Sequence, residues 1–217
     1  MEIPVTAAPV PVVAVILAGG RGRRMGHVDK AMLTLAGKPL VMHVLARLAP
    51  QVAAVAISAN GDPARFAAIA APVLPDAPGG PEGPLAGLLA GARWAVGMHP
   101  GALLLSAPCD VPFLPADLVA RLRAAPLPVC AASAGRLHPL VALWRPGEVI
   151  ERASAGGSAR ALLAALGGGS VAWDLHSDLH HDLHHDHHGD RCMDADPFTN
   201  LNDPAALAAA ARSMGGA

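Results

Sequence analysis

Short, continuous apolar runs alternate along the chain with Ala/Leu-rich stretches that open on proline or close on glycine. The first run, residues 12–18, is rich in β-branched residues, carries no polar position and stops at Gly19-Gly20. That is the pattern of a strand covered on both faces. Residues 52–58, 72–74, 102–107, 129–133, 140–144 and 171–173 repeat it and are predicted as strands. Between them, residues 40–49, 63–70, 84–96, 115–123 and 203–211 are predicted as helices, as are residues 147–166 with a glycine break at 156–157. Pro39, Pro63, Pro84 and Pro115 stand at helix starts, where a missing N–H costs nothing, and Asp203 is placed to cap the last helix. Alternating strands and helices predict an α/β sheet covered on both faces.

One segment departs from this pattern. Aspartate recurs at 174, 178, 182, 186, 190 and 194, leucine at 175, 179 and 183, and histidine at 176, 180, 184 and 188. This tandem Asp-Leu-His-X tetrapeptide is a low-complexity insertion over about residues 174–196. On a helix a four-residue step drifts only about 40° per repeat, so the histidines would share a face and could bind transition metal. The plainer reading is a tandem expansion in a tolerant surface loop, whose entropic cost grows slowly with length.

The insertion also hides a charge asymmetry. The net charge is −1, but residues 174–196 hold seven of the 17 acidic residues and one of the 16 basic ones, leaving 15 basic against 10 acidic elsewhere. A mildly basic body suits phosphorylated ligands. With three Phe, three Trp and no Tyr it does not suggest nucleic-acid binding. The apolar stretch at 10–18 is broken by Pro11 and falls far short of the roughly 20 residues of a membrane span. Glu2 stands where a secretory signal would carry basic residues. Cys109, Cys130 and Cys192 form neither a zinc nor a disulfide spacing, so a cytoplasmic location is expected.

Four stretches carry candidate chemistry. Leu17-Ala18-Gly19-Gly20-Arg21-Gly22-Arg23-Arg24-Met25-Gly26, followed by Asp29-Lys30, combines small residues with four basic ones. Backbone N–H groups in such a turn can cradle phosphate, although the run also reads as a basic surface loop. It is not a P-loop, lacking Gly-Lys-Ser/Thr, nor a dinucleotide fingerprint, because Met25 replaces the last glycine. Asp110, in Pro108-Cys109-Asp110 after an apolar strand, suits Mg²⁺ at a strand's carboxyl end, or alternatively a turn or cap. Gly83-Pro84-Leu85-Ala86-Gly87, downstream of Asp76, opens a helix whose free N–H groups suit an anion, or is ordinary turn chemistry. Asn200-Leu201-Asn202 places two amides on one face if extended, or is a polar turn before the last helix.

Taken in order, these motifs resemble a family. Leu-Ala-Gly-Gly-x₃-Arg-Met-Gly-x₂-Asp-Lys, with Gly37-Lys38-Pro39-Leu40 after it, resembles the signature loop of the GT-A-like nucleotidyltransferases, and within them the molybdenum cofactor guanylyltransferases. The resemblance runs from about residue 12 to 173 and resumes at 197–207, taking in Asn60, Asp76, Cys109-Asp110, His138-Pro139 and Phe198-Thr199-Asn200-Leu201-Asn202. It implies a three-layer, Rossmann-like nucleotidyltransferase fold with a mostly parallel mixed sheet and helices on both faces. Residues 1–217 would form a single such domain carrying the His/Asp insertion.

The implied reaction is in-line transfer of GMP from GTP to the terminal phosphate of molybdopterin, with pyrophosphate leaving. By the resemblance, Leu17, Ala18, Gly19, Gly20 and Lys30 would contact GTP. Asn60 and Asp76 would lie on the nucleoside, and Asp110 on Mg²⁺ and the triphosphate. Arg24 and Lys30 would stabilise the leaving pyrophosphate, while Gly83, Gly87, Asn200 and Asn202 would face the pterin. No protein nucleophile is needed, so Cys109 is read as a packing residue. Transient docking to cofactor-biosynthesis or target enzymes is also implied.

Two departures stand out: Asn202-Asp203-Pro204 replaces the usual Asn-Thr-Pro-Glu, and the His/Asp repeat is foreign to the family pattern. The competing readings are a cytidylyltransferase or sugar-1-phosphate nucleotidyltransferase of the same fold, and a His-rich protein binding Ni²⁺ or Zn²⁺.

Overall fold

A computed structural model describes residues 9–19, 29–153, 156–174, 196–201 and 204–215. Gly20, Arg24 and Asn202 lie outside the described residues, as does the repeat from 175 to 195.

Strand β1 (Val12–Leu17) is buried at all six positions. Its odd and even side chains therefore feed two cores. Val12, Ala14 and Ile16 pack with Val41, Val44 and Leu48 of helix α1 (Leu40–Leu48). Val13, Val15 and Leu17 pack with Leu85, Leu88 and Leu89 of α2 (Pro84–Met98). Helix α3 (Leu118–Arg123) joins the first layer. Helices α4 (Pro146–Ala153) and α5 (Ala159–Ala165) join the second.

Between the layers runs a seven-stranded sheet. Neighbouring β1 are β4 (Ala54–Ser58) and β6 (Leu103–Pro108), both parallel to it, and β5 (Val73–Leu74) is parallel to β4. Beyond β6 comes β8 (Arg136–Trp144), antiparallel to it, then β7 (Val129–Ser133), antiparallel to β8, and β9 (Gly169–Trp173), parallel to β7. A separate hairpin joins β2 (Thr34–Leu35) to β3 (Lys38–Pro39). The end of the chain, α6 (Pro204–Gly215), buries Ala210 with Leu35, Leu40 and Leu201. The mostly parallel mixed sheet with helices on both faces is the architecture the sequence predicts.

Differences are local. Residues 63–70 form only a 3-10 turn, Pro63–Phe66, started by Asp62 accepting from the Ala64 N–H at 2.8 Å. Pro72 forces the preceding backbone to extend, so the segment is too short to propagate an α-helix. α3 starts at Leu118 rather than 115. The break at 156–157 is present: Gly156 and Gly157 have φ of 78° and 108°, and Ser158 caps α5. β8 begins earlier than 140 because Ala134 and Gly135, both with positive φ, make a two-residue hairpin turn from β7. Its register jumps from Cys130↔Ala142 to Ala131↔His138. Pro139 lies within that jump, and a proline has no N–H to give the ladder.

Helix α2 lies unusually near the sheet. A Cβ on Gly87 would meet Ser58 Oγ at 2.5 Å, and one on Gly91 would meet Val15 Cβ at 2.7 Å. The two glycines, one helical turn apart, remove the side chains that would hold the helix off β1 and β4.

Candidate functional site

β1, β4 and β6 end level with one another, for Leu17 pairs with Ser58 on one side and Pro108 on the other. The chain leaving β1 is pinned twice. Ala18 N–H donates to Ser58 O at 2.9 Å, and Leu17 O accepts from Cys109 N–H at 3.1 Å. Leu17 and Ala18 are buried, and Gly19, half-buried, begins the glycine-rich run at the sheet's carboxyl edge. This is where ligands bind in open parallel sheets.

Asp110 sits two residues beyond β6 and is only 7% exposed. Three groups converge on it. Lys30 Nζ lies 3.5 Å from Oδ2, Asn200 Nδ2 donates to Oδ1 at 3.3 Å, and Leu201 N–H donates to its carbonyl at 2.8 Å. Lys30 opens a 3-10 turn, Lys30–Met32, whose start is capped by Asp29 Oδ1 accepting from Ala31 N–H at 3.2 Å. The other Asp29 oxygen pairs with Arg65 Nε at 2.9 Å, and the Arg65 guanidinium lies over Phe66, 4.7 Å from the ring centre. Asp29 thus caps the turn that begins at Lys30 and pairs with Arg65.

The side-chain contacts at Asp110 are longer than the 2.7–2.9 Å of tight charge-assisted bonds, so the carboxylate keeps acceptor capacity for a cation. Among the described residues there is no cluster of three or more His, Cys, Asp or Glu able to enclose a metal. A single carboxylate fits Mg²⁺, which takes most of its ligands from phosphate oxygens and water. Neighbouring Cys109 is buried. Desolvation and the negative charges of Asp110 and Asp29 push its thiol far above the usual range. A neutral, enclosed thiol is no nucleophile.

Asn60 follows β4 and Asp76 follows β5, and the two clasp each other. Asn60 Nδ2 donates to Asp76 Oδ2 at 2.6 Å, while Asp76 N–H donates to Asn60 Oδ1 at 2.9 Å. Below the clasp, Ala59 N–H bonds Leu74 O at 3.0 Å. Gly83 precedes α2 with φ 69° and ψ −149°, a region only glycine occupies readily, and no atom stands where its Cβ would be. Gly87 is different. It lies under the strand ends, its missing Cβ space filled by Ser58 and Leu17.

Three groups near Asn200 have no joint signature in the sequence. Ser133 Oγ, at the end of β7, lies 2.7 Å from both carboxylate oxygens of Asp196 and 2.7 Å from His138 Nε2. Asp196 Oδ1 also accepts from Phe198 N–H at 2.9 Å. Phe198 packs between His138 and Trp173, with ring centres 4.9 and 5.2 Å away, and Arg121 lies over Trp173. Burial lowers the His138 pKa, against the opposing pull of Asp196. Asp196 falls two residues after Asp194 and so off the four-residue period of the repeat, but nothing in the sequence ties it to Ser133 or His138.

Residues 14–171 match the model of the MobA-like NTP transferase domain. The chain belongs to this family of nucleotidyltransferases. The molybdenum cofactor guanylyltransferase of Rhodobacter capsulatus is 47% identical over 200 residues, covering 92% of this chain and 94% of that protein. The molybdenum cofactor guanylyltransferase of Acidiphilium cryptum (strain JF-5) is 59% identical over 131 residues. That alignment covers 60% of this chain and spans 65% of the relative's length. In fold, the chain is similar to molybdopterin-guanine dinucleotide biosynthesis protein A from Archaeoglobus fulgidus, with a TM-score of 0.65 at 21% identity over 95% of this chain and 100% of that one. Lys30, Asn60, Asp76, Gly83, Gly87 and Asp110 all fall within the residues the family model matches.

Proposed function

We propose that this member of the family transfers GMP from GTP to the terminal phosphate of molybdenum-bearing molybdopterin, giving the guanine dinucleotide form of the cofactor and pyrophosphate. One observation carries the reading: Lys30, Asp110 and Asn200 meet beside the pinned Leu17–Ala18–Gly19 turn, at the level ends of three parallel strands. Such a reaction needs positioning and charge neutralisation rather than a protein nucleophile.

In this mechanism the backbone of residues 17–20 cradles the triphosphate, and Lys30, with Arg24, meets the charge of the departing pyrophosphate. Asp110 would hold Mg²⁺, which when bound would supply charge neutralisation at the reacting phosphates. Asp76 accepts from the N1–H and N2 amine of guanine, and Asn60 holds that carboxylate in place. Asn200, Asn202 and Gly83 face the pterin side, with Gly87 acting from beneath through the seating of α2. The whole chain works as one nucleotidyltransferase domain with an insertion, in the cytoplasm, docking transiently to enzymes of cofactor assembly. Among the described residues, no helix is long and apolar enough to cross a membrane.

The reading is tested by calorimetry with GTP, CTP, UTP and ATP in the presence of Mg²⁺. Tight binding of GTP alone supports it. Equal binding of GTP and CTP moves the assignment to a cytidylyltransferase.

A further inference from the structure

We propose that Asp196, Ser133 and His138 form a latch that positions Asn200 against Asp110, making all three positioning residues for the acceptor side of the site; this rests on the placement of Asn200 proposed above.

Proton counting fixes the direction of the latch. The Ser133 hydroxyl owns one proton, yet its oxygen lies 2.7 Å from both Asp196 oxygens and 2.7 Å from His138 Nε2. A carboxylate only accepts, so the hydroxyl proton points to Asp196 and Oγ must accept from His138 Nε2–H. Two donors in series therefore run from β8 through the end of β7 to Asp196. The acceptor at the end of the chain is charged, which makes the last bond the strong one. Ser133 is 2% exposed, so water does not compete for it and it cannot reach a substrate as a nucleophile.

Residues 196–201 make a short strap. Asp196 turns its own chain by accepting from Phe198 N–H and, through its carbonyl, from Thr199 N–H at 2.9 Å. Phe198, 1% exposed, plugs between His138 and Trp173. Two residues later Asn200 and Leu201 reach the side chain and the carbonyl of Asp110. The strap is thus fastened at 196, 198 and 200–201. Among the described residues of the strap, removing the first fastening leaves Phe198 as the anchor ahead of Asn200. The Phe198–Trp173 contact and the Ser133–Asp196 bonds also bring residues 173 and 196 to neighbouring strands.

The test is a double-mutant cycle with Asp196→Ala, Ser133→Ala and Asn200→Ala, plus Asp196→Asn, which keeps an Oδ1 acceptor. Transfer kinetics use GTP and molybdenum-molybdopterin, and amide hydrogen exchange is followed at Leu201. Asp196→Ala and Ser133→Ala should each lower kcat/KM for molybdopterin about tenfold, leave the Kd for GTP within twofold, and speed exchange at Leu201. Asp196→Asn should restore most of the loss. On the Asn200→Ala background Asp196→Ala should cost less than twofold. An equal cost on both backgrounds, or unchanged Leu201 exchange in Asp196→Ala, overturns the latch. If Asp196→Ala does not fold, Ser133→Ala carries the same cycle. Exchange at Leu201 needs neither nucleotide nor acceptor, so a chain that fails to transfer GMP would sink the functional reading while still testing the latch.

Discussion

Asn200 donates its amide to Asp110 Oδ1 at 3.3 Å across 90 positions of sequence, and the next residue's N–H bonds the carbonyl of the same aspartate. The C-terminal strap and the end of β6 therefore share one carboxylate. In the proposed mechanism this ties Asn200, on the acceptor side, to Asp110, on the triphosphate side.

Lys30→Ala and Asp110→Ala should each lower guanylyl transfer by about 10²–10³, the usual loss on removing a group that stabilises developing charge. Arg24→Ala should behave similarly. Circular dichroism should show an intact fold, because the Leu201 bond to residue 110 uses its backbone carbonyl. Near wild-type turnover in either the Lys30 or the Asp110 variant would sink the assignment.

Asp76→Ala should lower the preference for GTP over CTP by about tenfold or more, since hydrogen bonds to a charged group contribute roughly 1.5–3 kcal/mol. Affinity for the triphosphate should change less. Asn60→Ala should shift selectivity in the same direction, because it frees the carboxylate that Asn60 holds. Binding isotherms for both nucleotides decide it: a uniform loss of affinity for the two would place Asp76 away from the base.

Gly87→Ala and Gly91→Ala should each destabilise the fold by about 1–3 kcal/mol, because the new methyl overlaps Ser58 or Val15. Gly97→Ala, on the same helix with nothing within 4 Å, should stabilise it by up to about 1 kcal/mol. Thermal melts of the three variants separate close packing from helix propensity.

His138 has a folded pKa below its ordinary 6.5, chiefly through burial. A depressed value means the folded state resists protonation. Stability is full above about pH 6.5 and is lost as pH falls through the folded value. Urea melts from pH 7.5 to 5 should show this slope, and His138→Gln, which cannot titrate, should flatten it. An unchanged slope would show that other groups carry it.

Replacing residues 176–190 with a short Gly/Ser linker should leave GTP-dependent activity within about tenfold, equivalent to about 1.4 kcal/mol of barrier. The reason lies in the anchors on either side: Trp173 is fixed in β9 and Asp196 on Ser133. A larger loss in a folded variant would show that the repeat serves the site.

Much of this arrangement is legible along the chain. The apolar runs at 12–18, 52–58 and 102–107 become parallel strands that end level at Leu17, Ser58 and Pro108, so the residues just beyond them, including Asn60 and Asp110, gather at one edge of the sheet. Lys30 is legible through its motif. Its support is not: Arg65 lies in a stretch whose composition reads as helix, and only the proline-bounded 3-10 turn brings it to Asp29. Gly87 reads as part of a ligand loop, whereas the space its Cβ would need is taken by Ser58 and Leu17, a tertiary contact with no local signature. The latch is illegible for the same reason: Ser133 and Asp196 are 63 positions apart, and no local feature of either points to the other.

The most direct measurement tracks α-labelled GTP and α-labelled CTP into product with molybdenum-molybdopterin and Mg²⁺, while counting pyrophosphate. The expected result is label transferred from GTP, one pyrophosphate released per nucleotide transferred, and little transfer from CTP. Comparable transfer from both nucleotides, or pyrophosphate released without a labelled dinucleotide, would contradict guanylyl transfer as the activity of this chain.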